Sequence, residues 1–140
     1  MALPRGVRNR NPYNLRYNAG VAKYHGCTGK DEGGYAIFDT PQHGIRAAML
    51  NLQSYAGKGI DTVRGIITHW APASDGNNVA AYVKDVTGRT TWNADEHLDL
   101  GDPGVLLHLG RAMIWHENGQ QPYTEAVLKE GINEALGAEQ

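Results

Sequence analysis

The sequence predicts an α+β fold, mainly α: about five helices with one small β-hairpin lobe. Three observations predict it. Apolar residues recur at helical spacing from residue 41 onward. Strand formers flank a polar, glycine-rich tip within residues 21–39. Cap-plus-proline pairs, Thr40-Pro41 and Asp102-Pro103, mark two helix starts. The chain has 140 residues, enough for one core and not comfortably for two, so 1–140 reads as a single domain.

Residues 1–20 read as an extended basic segment with Arg5, Arg8, Arg10 and Arg16 and no acid. Asn9, Asn11, Pro12, Asn14 and Asn18 are turn formers, and Tyr13, Leu15 and Tyr17 are its expected anchors. A hairpin follows, with strands at 21–25 and 35–38 and a tip at 27–34. Thr40 caps the first long helix, which carries Ile45, Ala48, Met49, Leu52 and Tyr55 on one stripe and stops at Gly57 and Gly59. Asp61 is the expected cap of a second helix, which ends at Trp70-Ala71-Pro72 because a residue before proline resists the α region. A third helix holds Val79, Tyr82, Val83 and Val86 and stops near Gly88. Residues 88–101 are an irregular connection containing Trp92. The fourth helix starts at Asp102-Pro103 and stops at Gly119; Thr124 caps a last one through Leu128, Ile132 and Leu136.

Composition excludes several classes. Hydrophobic residues make up 41% and charged residues 20%, ordinary for a globular chain. The net charge of -2 argues against a nucleic-acid coat, and no specific nucleic acid is expected as partner. Cys27 is the one cysteine, so no intrachain disulfide exists. No apolar run is long enough for a membrane span, and residues 1–10 lack the apolar middle of a signal peptide.

Glu117 is the first candidate for chemistry. It ends a helix just before Gly119, where the helix dipole and the apolar neighbours Met113 and Trp115 both disfavour its charged form. A raised pKa is what a general acid needs near neutral pH. The plainer alternative is a solvated helix-end glutamate. Asp31 and Glu32, at the hairpin tip beside Thr28, are the candidates for a second carboxylate; a solvated turn is the plainer reading there, and only one of two adjacent acids can face a cleft. His116-Glu117 does not form a zinc motif, because the position four residues after His116 is Gln120; no metal and no cofactor are expected. Tyr24, Trp70, Tyr82, Trp92 and Tyr123 are candidates for stacking on sugar rings, with core packing the alternative.

The segment from Arg5 to Tyr17 resembles the "RGIRNNNPxNIRY" opening of a family of small phage lytic and virion proteins. The resemblance continues through Gly33 to Pro41, Gly44 to Ala47, Trp70-Ala71-Pro72, Leu98-Asp99-Leu100 and His116-Glu117-Asn118-Gly119, and ends at Pro122-Tyr123. More widely, Ile114, Glu117, Gly119 and Pro122 follow a pattern similar to the "I-x-x-E-S-G-x-N-P" of lytic transglycosylases and goose-type lysozymes, with Asn118 in place of serine. Residues 11–17, the hairpin and the helix from Pro41 look similar to the segment that follows the catalytic glutamate in flagellar-type glucosaminidases. There the glutamate helix comes first; here it comes last.

The resemblance implies a lysozyme-like fold in circularly permuted order, which surface termini make feasible. It implies a peptidoglycan-cleaving glycosidase of phage origin, in the virion or in the host cytoplasm before release to the wall. Glu117 would be the acid, with Asp31 or Glu32 as second group or, failing both, the substrate's own acetamido group. Asn14, Thr28, Tyr82, Asn118 and Tyr123 are the expected substrate-orienting residues, and other virion proteins are further possible partners. The alternatives are a murein endopeptidase on the same fold and a non-catalytic virion or wall-binding protein.

Overall fold

The computed structural model describes residues 3–137. It is mainly helical with one two-stranded antiparallel sheet, as the periodicity predicts. The opening segment departs from expectation: it begins with one helical turn, α1 (Arg5–Arg8). The chain then runs as an irregular arm over residues 9–17 beside the sheet. Asn11 is fully buried and makes that path possible. Its Nδ2 donates to the carbonyls of Leu15 (3.0 Å) and Ala36 (2.9 Å), while its Oδ1 accepts from Leu15 N (3.0 Å). One side chain thus satisfies three backbone groups that burial would otherwise strand.

The sheet pairs β1 (Cys27–Lys30) with β2 (Ala36–Phe38). The expected strand at 21–25 is instead a short 3-10 turn, Val21–Lys23, because Asn18 Oδ1 accepts from Val21 N at 2.9 Å and starts a turn there. The strand moves into the segment read as the tip, and its register shifts between Cys27 and Gly29.

Five longer helices follow, and a Ser/Thr/Asx-type side chain caps each. They are α2 (Pro41–Gly57), α3 (Val63–Trp70), α4 (Val79–Arg89), α5 (Pro103–Asn118) and α6 (Glu125–Leu136). Thr40, Thr62, Asn78, Asp102 and Thr124 accept from the first-turn amides, each contributing about 1 kcal/mol. The cap of α3 is Thr62 rather than Asp61, which pairs with His97 Nδ1 at 2.6 Å. An extra 3-10 turn, Ala73–Asp75, lies between α3 and α4.

Phe38 from the sheet, Ile45, Met49 and Leu52 from α2, Ile66 and Ile67 from α3, and Leu106, Leu109, Met113 and Ile114 from α5 are fully buried in one core. Each contributes roughly 1.5–3 kcal/mol of burial. Tyr13 joins them from the arm, and its hydroxyl lies against Gly110 of α5. The arm is therefore seated in the core, which fixes the groups that follow Tyr13 against the end of α5.

Candidate active site

Glu117 sits in the last turn of α5. Gly119, at φ 68°, ends the helix in a left-handed conformation that a side chain would strain, and its N–H donates to Trp115 O at 2.8 Å. On the same turn Trp115 points outward while Ile114 and Asn118 point in. Asn118 Nδ2 donates to Pro12 O (2.8 Å) and Ile114 O (3.0 Å), stapling the arm to the helix end. Trp70 of α3 holds the arm from the other side, its Nε1 donating to Tyr13 O at 2.9 Å. One residue on, Asn14 takes a left-handed backbone conformation, φ 52°, and its Nδ2 donates to Glu117 Oε1 at 2.8 Å. This contact joins residues 103 positions apart in the chain.

The Glu117 carboxyl is largely buried, and that burial raises its pKa above the ordinary carboxylate value. The Asn14 hydrogen bond, the nearby Tyr82 phenol and the His116 imidazole pull the other way without cancelling the rise. Tyr82, from α4, is buried, and its own titration is pushed well up, first by burial and then by Glu117. Its hydroxyl reaches the carboxyl's neighbourhood but falls short of hydrogen-bond geometry. The Tyr82 ring stacks on His116, centroids 3.8 Å apart, and His116 Nδ1 meets Asp85 Oδ2 at 2.9 Å.

Glu117 opens into a small cavity of about 30 Å³ bounded by Asn14, Arg16, Tyr35, Trp70, Asp75 and Asn77. Asn14, Arg16, Trp70 and Asp75 also border an adjoining groove of about 340 Å³. Tyr55 and Trp70 line that groove, edge to face, with centroids 5.8 Å apart. The site is thus a carboxyl at the end of an aromatic-walled groove between the arm, α3 and the loop before α4. A separate depression of about 390 Å³, between Arg89, His108, Arg111 and Trp115, has no carboxylate in its lining.

The expected second acids do not reach this place. Asp31 Oδ1 accepts from the Gly33 and Tyr35 amides, both at 2.9 Å, and its Oδ2 accepts from Asn9 Nδ2 at 2.9 Å. Burial alone would raise its pKa, but these bonds and the Arg5 charge outweigh it and hold the carboxyl below the ordinary range. Asp31 closes the hairpin turn. Glu32 is exposed, and neither acid lines the cavity of Glu117. Thr28 lies on the exposed side of β1, where its hydroxyl faces Ile37 O at 3.4 Å. Tyr123 packs half-buried against the core, outside the groove. Asn118 orients the arm instead of facing solvent.

Tyr35, Asp75 and Asn77 are polar lining residues that sequence reasoning did not select. Asp75 sits in a Ser-Asp-Gly stretch that reads as any solvated loop, so no local signal marks it. Among the described residues, no helix is long and apolar enough to cross a membrane.

Replacing Asn14 by glycine keeps the positive φ accessible and removes the donor to Glu117. The donor favours the charged carboxylate, so its loss raises the Glu117 pKa further. The Glu117 titration, followed by NMR of its carboxyl carbon, is expected to shift upward. An unmoved titration contradicts the coupling.

No family model matches the chain. It is 37% identical over 132 residues to Protein P5 of Pseudoalteromonas phage PM2, across 91% of this chain and 79% of that protein. The chain belongs to the family of this bacteriophage protein.

Proposed function

We propose that this protein cleaves the glycan backbone of peptidoglycan with Glu117 as the single protein acid, on a lysozyme-like, circularly permuted fold, as a lytic protein of a phage. The observation that carries the reading is the Glu117 carboxyl, largely buried at the end of the groove, its pKa raised by that burial, and oriented by Asn14. Tyr55 and Trp70 supply a wall on which a sugar ring can stack.

The hairpin carboxylates Asp31 and Glu32 lie outside the cavity, and this reading gives the role of nucleophile to the substrate itself. Glu117 donates its proton to the glycosidic oxygen, and the bond from that oxygen to C1 breaks. The neighbouring acetamido oxygen closes on C1 as positive charge develops there. Glu117, now a carboxylate, takes the proton from the sugar's own 6-hydroxyl, which displaces the acetamido oxygen and leaves an anhydro sugar. This sequence needs one titratable side chain that alternates between acid and base.

The test is the chemistry of fragments released from purified peptidoglycan. New sugar ends without new amino groups are expected. New amino groups would establish the peptidase alternative, and no release at all would favour a wall-binding role.

A further inference from the structure

We propose that Arg16 is a carboxylate-binding subsite of the groove, and that Asp75 is a resting occupant which an anionic substituent of the substrate displaces. The inference rests on the glycan-cleaving reading and narrows its substrate to a carboxylate-bearing strand.

The Arg16 guanidinium is held in place before any ligand arrives. Its Nη1 donates to Gly33 O at 3.1 Å, and its Cζ lies over the Tyr35 ring, 4.4 Å from the ring centre. That ring carries a second guanidinium, Arg5, at 4.3 Å, and Arg5 is itself held by Asp31 at 3.5 Å. A planar fork fixed in this way loses little freedom on binding a carboxylate. The Asp75 contact, at 3.7 Å, is far longer than a close charge-assisted hydrogen bond, and both side chains are well exposed, 45% and 37%. Such a pair adds little stability and is readily exchanged.

Charge balance in the groove points the same way. Among the described residues, Arg16 is the one lysine or arginine bordering either the Glu117 cavity or the adjoining groove. Any anionic group drawn into that space meets Arg16. Peptidoglycan presents such groups on the lactyl and peptide substituents of alternate sugars, whereas a plain N-acetylglucosamine polymer has none. Arg16 would therefore select between two polymers with the same glycosidic linkage.

The experiment measures co-sedimentation with purified peptidoglycan, using Glu117→Gln protein so that strands stay intact. One batch is untreated and one has its carboxyl groups converted to amides. Adding Arg16→Gln is expected to weaken binding to untreated material about tenfold. Amidation is expected to weaken binding of the Arg16 protein by the same factor. Arg16→Gln should then make no difference on amidated material, because both changes remove one interaction. Asp75→Asn, which removes the competing anion, should tighten binding to untreated material only. Unchanged binding by Arg16→Gln overturns the subsite, as does an equal loss on both materials. If Arg16→Gln does not fold, Asp75→Asn decides: no tightening overturns it. Absence of strand cleavage by wild type overturns the glycan-cleaving reading, and this binding comparison still reads Arg16 independently.

Discussion

Glu117→Gln is expected to lower the rate of wall cleavage about 10³-fold without disturbing the fold. Glutamine keeps an Oε1 that can accept from Asn14 Nδ2, so the arm stays in place. It has no acidic proton to give, so the leaving sugar must depart as an alkoxide. The substitution also has a stability signature of known sign. Burial raises the Glu117 pKa, so the native state keeps this proton to a higher pH than the unfolded chain does. The group's favourable contribution is present at low pH and is lost as pH rises from the ordinary carboxylate value through the raised one. Above the raised value the wild type carries a destabilising buried charge that the variant lacks. The wild-type melting midpoint is expected to fall relative to the variant's as pH rises through that range, with the smallest difference below the ordinary carboxylate range. Thermal midpoints across pH read this directly. A difference that does not change with pH, or that changes in the opposite sense, would contradict the assigned environment.

Gly44→Ala is expected to cost about 3 kcal/mol and to reduce cleavage as well. Gly44 lies in the first turns of α2, where the arm crosses it. A Cβ there collides with the Arg10 carbonyl oxygen and crowds Asn11. Arg10 already has a positive φ of 52°, so its backbone has little room to yield. Displacing residues 10–11 pulls on the buried Asn11 network and, through Pro12 and Tyr13, on Asn14. The matched control is Gly88→Ala on the exposed face of α4, where a Cβ meets nothing within 4 Å. That change should stabilise by up to about 1 kcal/mol, because alanine loses less backbone freedom than glycine in a helix. Denaturant midpoints of the two variants should therefore move in opposite directions.

Much of the helical scaffold is legible in the sequence because its signals are local. Thr40-Pro41 and Asp102-Pro103 start α2 and α5 where the structure has them, and Gly119 ends α5. Glu117 is legible for the same reason: its place before a glycine stop is visible without tertiary information. The sheet is less so. Cys-Thr-Gly-Lys has poor strand propensity and becomes β1 through its pairing with β2, while Val21 is drawn into a turn by Asn18. The site's partners are the least legible. Asn14 reaches Glu117 across most of the chain, and Asp31 serves the hairpin because three donors converge on it in space. Whether an acid closes a turn or faces a groove depends on such contacts, which no spacing rule reveals.

Mass spectrometry of the fragments that wild-type and Glu117→Gln proteins release from purified peptidoglycan tests the central claim most directly. Wild type should yield muropeptides one water lighter than the hydrolysed form, the mark of an anhydro end, and Glu117→Gln should yield almost none. Equal fragment yields from the two proteins, or wild-type fragments cut within the peptide, would contradict Glu117 as the acid of a glycan-cleaving enzyme.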